Sequence, residues 1–135
     1  MYFFRSIVVP LLFTLQSDAA AVSADTQYDL LYSLYTMRQM QGPDVKALWP
    51  SDAANANAQA LAAIINVVRV EQSTLPIVID AGSRKALVSF GGNISSAFQL
   101  WSSDSSSTKA IVQSQFTTTG LGNSGQYWVL VMSKM

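Results

Sequence analysis

The run Tyr127-Trp128-Val129-Leu130-Val131-Met132 constrains this chain most, because it is apolar at every position and therefore on both faces of any strand it forms. A strand of that kind is stable only between two covering layers. The fold must then place helices on both sides of a sheet, in a chain with room for one domain. The rest of the sequence supplies the pieces. Residues 115–119 form a second β-favouring run, and Gly122-Asn123-Ser124-Gly125 between the two reads as a hairpin turn. Pro76-Ile77-Val78-Ile79 and Ala86-Leu87-Val88-Ser89-Phe90, separated by residues 80–84, predict two strands, or one strand and an irregular segment.

Helical signals come earlier in the chain. Thr26 and Asp29 have capping-box spacing, and Leu30, Leu31, Leu34 and Met37 recur at intervals of three and four, predicting a helix that stops near Gly42-Pro43. Ser51 is placed to cap a second, alanine-rich helix that continues into Leu61, Ile64, Ile65 and Val68. A low-complexity linker over residues 53–63 is the weaker reading, given that apolar continuation. Residues 95–101 predict a short helix with Phe98 and Trp101 on one side, and residues 102–107 a polar loop. Trp49, Trp101, Tyr127 and Trp128 lie at apolar-periodic positions and are assigned to the core. Helices followed by strands, with no internal repeat, give an α+β class: an α-β-α sandwich with a small antiparallel sheet between helices.

The N-terminus has the pattern of a secretory leader. Residues 1–5 carry one positive charge, and residues 6–15 form a run apolar apart from Ser6, Thr14 and the break at Pro10, until Gln16-Ser17-Asp18 ends it. The run is too short to span a bilayer, which takes about 20 residues. Val22-Ser23-Ala24 offers a cleavage site, with Asp18-Ala19-Ala20 nearly as good, and a buried N-terminal helix is the competing reading. The expectation is a signal peptide over 1–24, a single domain over 25–135, no transmembrane anchor, and a secreted product. Without cysteine, an exported domain of about 110 residues must rely on packing or on a partner.

Composition closes several chemical routes. The chain has no histidine and no cysteine, so thiol nucleophiles, Cys-His zinc sites and histidine acid-base pairs are excluded. Lysine plus arginine equals aspartate plus glutamate, at 8 each, and no basic run offers a surface for nucleic acid. The carboxylates are scattered, and the serines near Ser107 sit in neither a GxSxG nor an SxxK setting. Gly120-Leu121-Gly122 lacks the following helix that a phosphate cradle needs and reads as turn chemistry. Asn93-Ile94-Ser95 fits the N-glycosylation pattern, with a loop-bonding role for Asn93 the equal alternative. No catalytic residue, metal ligand or cofactor site is assigned.

In order along the chain, several stretches resemble the CAP superfamily of cysteine-rich secretory proteins, antigen 5 and pathogenesis-related proteins. Residues 31–38 followed by Gly42 are similar to its opening helix, with Tyr35 where an asparagine is usual. Trp49 and the alanine-rich stretch after it resemble its second helix, Gly91-Gly92-Asn93-Ile94 its GENI-type motif, and residues 97–101 its helix ending in tryptophan. Residues 110–112, Phe116-Thr117-Thr118-Thr119-Gly120-Leu121-Gly122 and Tyr127-Trp128-Val129-Leu130-Val131 resemble the segments that lead into and close its sheet. The resemblance implies an extracellular α-β-α sandwich. It also implies a dismantled cleft where other members gather two histidines and two glutamates around a divalent metal. Gly92 stands for the GENI-type glutamate, Ser107 for the second histidine, and Asp104 for the second glutamate, while the first histidine has no counterpart. One shortened acid cannot replace four ligands. The leading expectation is a non-enzymatic secreted protein that binds a sterol, another lipid or an extracellular protein, in the manner of family members that bind lipids or act in host interactions. The alternatives are a hydrolase with a rebuilt cleft around Ser107 and Asp104, and a structural extracellular domain. Oligomeric state is not read from the sequence.

Overall fold

A computed structural model describes residues 22–41 and 47–134. Helix α1 spans Ala24–Gln39, the two-residue strand β1 Trp49–Pro50, and helix α2 Asp52–Val68. A 3-10 turn at Gln72–Thr74 leads to β2 (Ile77–Asp80) and β3 (Arg84–Phe90). Helices α3 (Ile94–Ser103) and α4 (Ser105–Ile111) follow, then β4 (Thr118–Ser124) and β5 (Tyr127–Ser133). The strands form one sheet in the order β1-β4-β5-β3-β2. It is antiparallel except for β1, which pairs parallel with β4, so the expected all-antiparallel sheet is corrected at that edge.

Strand β5 lies in the middle of the sheet, and every residue from Tyr127 to Met132 is buried, as its two-faced apolarity requires. Its alternation builds two cores. Trp128, Leu130 and Met132 point to the side carrying Leu30 and Leu34 of α1, Ala97 and Trp101 of α3, and Ala110 and Ile111 of α4. Tyr127, Val129 and Val131 point to the side where α2 contributes Ala54, Ala58, Ala62 and Ile65. Helix α2 approaches so closely because its inward face is alanine and the strand beneath it has glycine. A Cβ on Gly120 would overlap the backbone of Ala54 and Asn55, and one on Gly122 that of Ala58 and Gln59. These glycines therefore serve close approach within β4 and are not turn residues. The hairpin turn is Gly125-Gln126, with Gly125 at φ 60° and Ser124 paired with Tyr127.

Side chains of α2 also finish the outer edge of β4 beyond the short β1. The Leu121 N–H donates to Asn55 Oδ1 at 2.9 Å, and the Asn123 N–H donates to Gln59 Oε1 at 3.1 Å. Gln59 Nε2 returns a bond to the Asn123 carbonyl at 2.7 Å. Four helical residues rise about 6.0 Å and two strand residues about 6.6 Å, so amides at i and i+4 can meet alternate strand N–H groups.

Other local expectations shift. Helix α1 starts before Thr26, because Ser23 is the extended residue and its Oγ accepts the Thr26 N–H at 3.2 Å. The expected stop signal at Gly42-Pro43, like the leader up to residue 21, lies outside the described residues; α1 ends at Gln39, with Met40 as its C-cap. Ser51 caps α2 as expected, by accepting the Ala54 N–H. Ile64 and Val68 of that helix are exposed, because only the Ala54, Ala58, Ala62 and Ile65 face meets the sheet. Trp49 is 70% exposed on the edge strand, which corrects its assignment to the core. The polar loop expected at 102–107 is instead the junction of two helices.

Candidate functional site

That junction carries two of the three residues proposed for a vestigial cleft. Asp104 ends α3 and caps α4 in extended geometry, and its Oδ2 accepts both the Ser107 N–H at 2.9 Å and the Ser107 hydroxyl at 2.8 Å. Ser107 is fully buried. A short acid three residues before a backbone N–H is a helix cap, and here it also consumes the serine hydroxyl. Gly92 lies apart from this pair in the sequence, exposed, immediately before α3. Asn93 caps α3: its Oδ1 accepts the Ser96 N–H at 2.9 Å and the Ser96 hydroxyl at 3.1 Å. Its exposed side chain gives the loop-bonding role a definite form. No group of three or more carboxylates that could hold a metal stands together among the described residues.

A concave feature of the surface lies elsewhere, between α1 and α3. It has a volume of about 300 Å³ and is lined by Asp29, Leu30 and Ser33 from α1 and by Ile94, Ser95, Phe98, Gln99 and Ser102 from α3. The α3 positions share one helical face at spacings of three and four, and Asp29, Leu30 and Ser33 share one face of α1. Leu30 belongs to the core, and Ile94 and Phe98 are half-buried against it, so the floor is apolar. The rim is polar and rich in acceptors. The Ser33 hydroxyl donates back to the Asp29 carbonyl at 3.2 Å and the Ser102 hydroxyl to the Gln99 carbonyl at 3.0 Å, so both protons are used within the helices and the oxygens keep acceptor capacity. Asp29 adds a carboxylate, and the Gln99 amide a donor.

Behind α1, Arg38 anchors the segment that follows α4. It is 1% exposed; its Nη1 donates to the Ile111 carbonyl at 2.6 Å and the Gln113 carbonyl at 3.1 Å, and its Nη2 to the Phe116 carbonyl at 3.2 Å. Burial lowers the guanidinium's pKa below its ordinary value. Sequence reasoning passed over both features. The signal for Arg38 was its place on the Leu30–Leu34 stripe, where a solvated arginine would not fall. The signal for the groove was a serine beside an apolar residue on the facing sides of two helices.

No family model matches the chain, and no curated protein matches it in sequence. Solved structures do match its fold. An extracellular protein containing an SCP domain from Bacillus anthracis str. Ames superposes with a TM-score of 0.64 at 10% identity, over 86% of this chain and 45% of that one. A cysteine-rich secretory protein from Staphylococcus aureus subsp. aureus Mu50 gives 0.52 at 14% identity, over 79% of this chain and 38% of that one. The chain thus has the SCP (CAP) fold and spans less than half the length of each of these proteins. Among the described residues, no helix is long and apolar enough to cross a membrane.

Proposed function

We propose that this chain is an exported, non-catalytic binding domain whose α1–α3 groove takes an apolar ligand with a hydrogen-bond-donating head group. The observation that carries the reading is the groove itself: an apolar floor of Leu30, Ile94 and Phe98 under a rim that mostly accepts hydrogen bonds. Such a rim suits the hydroxyl of a sterol or long-chain alcohol, or an amine. It disfavours a fatty-acid carboxylate, which would meet Asp29. The hydrolase alternative requires a substrate to reach Ser107, and burial and the bond to Asp104 both oppose that. The extracellular setting rests on the leader pattern and on the SCP domain proteins that share the fold. Binding of a partner protein is the second reading. It is favoured by Tyr28, Tyr32 and Tyr35, which stand exposed on the outer face of α1.

Native mass spectrometry of protein recovered from the medium of exporting cells, followed by extraction of bound small molecules, tests the proposal. A stoichiometric alcohol, sterol or amphipathic amine is expected, and Phe98→Asp should release it while the fold is kept. Preferential uptake of a fatty acid refutes the head-group argument. Persistent emptiness in the presence of added sterol and long-chain alcohol refutes the groove.

A further inference from the structure

The two edges of the sheet are finished very differently. On the β1 side the edge is two residues long and contains Pro50, and the next N–H groups of β4 are taken by Asn55 and Gln59. Short edge strands, prolines and covering side chains are the usual protections against edge-to-edge pairing. On the other side β2 is longer, at four residues, and has no proline within it, although Pro76 immediately precedes it. Ile77-Val78-Ile79-Asp80 carries no lysine and no proline, and it is the terminal strand of the sheet. Ile77 and Ile79 are 37% and 40% exposed.

The hydrogen-bond parity of β2 is fixed by its neighbours. Ala81 N–H donates to the Arg84 carbonyl, so Ala81 and Arg84 form a hydrogen-bonded pair. In the same register Ile79 pairs with Ala86 and Ile77 with Val88. Alternation then turns the N–H and C=O groups of Ile77 and Ile79 inward to β3, and those of Val78 and Asp80 outward. An antiparallel strand that satisfies both outward residues can be a second copy of β2 in a single two-fold register. Val78 of each chain exchanges bonds with Asp80 of the other, and Ile79 faces its own counterpart in the close, non-hydrogen-bonded pairing.

We propose that β2 is a homodimer edge, joining two sheets into one continuous sheet through this register. The side chains agree with it. Ile77 and Ile79 lie on the sheet face shared with α2, because their β3 partners Val88 and Ala86 pack in that core. Pairing therefore brings Ile79 of each copy into contact on that face. Asp80 is offset from its counterpart by the register, and Lys85 Nζ lies 3.7 Å from its Oδ2. No like-charge pair is formed directly opposite. The interface is isologous and closes on itself, so it makes a dimer and not a fibre.

Cysteine scanning reads the register directly, because the chain has no cysteine of its own. In Ile79→Cys the two Cα atoms would lie about 4.5 Å apart across the two-fold, within disulfide reach. In Ile77→Cys they would be displaced by four residues, about 13 Å, out of reach. Mild oxidation of the full exported chain should cross-link the first variant and not the second. Sedimentation of wild type should give a dimer, and Ile79→Lys should weaken it roughly tenfold by setting like charges opposite one another. An equimolar mixture of Ile79→Lys and Ile79→Glu should restore it. Circular dichroism verifies that each variant is folded. A wild type that stays monomeric at millimolar concentration overturns the proposal, and so does an Ile77→Cys variant that cross-links as readily as Ile79→Cys. A monomer that instead accepts an extended peptide of another protein along β2 also overturns it.

Discussion

Replacement of Arg38 gives the sharpest measure of what holds the helical layer to the end of α4. In Arg38→Ala the carbonyls of Ile111 and Phe116 lose a buried donor, and that of Gln113 a partly buried one. Each buried acceptor left unpaired costs about 1–3 kcal/mol. The Gln113 carbonyl keeps the Phe116 N–H at 3.3 Å, so the loss rests on the Ile111 and Phe116 carbonyls and totals about 2–6 kcal/mol, a large fraction of the stability of a domain this size. Arg38→Lys keeps the charge but not the fork that spans separate carbonyls, and should lose about 2 kcal/mol. Equilibrium unfolding in urea, with m unchanged from wild type, measures both. The lowered pKa gives a further check on sign. For a base whose folded-state pKa is depressed, burial of the charge is a cost at every pH below that value. Stability from this group rises only as pH climbs through the strongly alkaline window up to the unfolded value. Its contribution should therefore be flat from about pH 5 to pH 9. A loss below about 1 kcal/mol for Arg38→Met would refute the reasoning, since it would mean that the carbonyls satisfy themselves without the guanidinium.

Gly122→Ala should destabilise by about 3 kcal/mol or more in the same assay, because its Cβ meets helix backbone that cannot rotate away. Asp104→Ala should cost about 1–2 kcal/mol, as the cap of α4 and the acceptor for buried Ser107, whereas Ser107→Ala should stay within about 1 kcal/mol. If the chain is exported as proposed, sequencing its mature N-terminus should place the first residue no later than Val22. Val22 packs on the core, its carbonyl accepts from Gln27 at 2.8 Å, and Ser23 caps α1, all of which the alternative cut after Ala20 retains. A chain starting at Asp25 should be less stable by about 1 kcal/mol through loss of that cap.

The central strand, the two covering layers and the Ser51 cap were legible because burial on two faces and capping chemistry are written in consecutive residues. The α3–α4 junction was not. Its serines look like a loop, and only the three-dimensional turn of Asp104 back onto Ser107 converts them into the start of a helix. Gly120 and Gly122 misled in the same way, since a glycine that admits another backbone and one that turns a chain look alike in sequence. Ile64, Val68 and Trp49 had core periodicity, yet Ile64 and Val68 lie off the α2 face that meets the sheet, and Trp49 stands exposed on its edge strand. The family resemblance located Gly92, Asp104 and Ser107 by analogy, and its value lay in the fold. The groove depends on two helices that are remote in sequence, so no local pattern could place it.

The amide staple between α2 and β4 also bears on the order in which the molecule assembles. Leu121 and Asn55 are 66 residues apart, and Asn123 and Gln59 64. Closing a loop of that length costs about 4 kcal/mol of chain entropy, beyond a length-independent constant, before either bond forms. The β2–β3 hairpin and the α3–α4 pair close far shorter loops and can form first. The staple then belongs to the far side of the folding barrier. Asn55→Ala and Gln59→Ala should leave the refolding rate almost unchanged and speed unfolding, so these two amides govern how long the native state persists more than how fast it is reached.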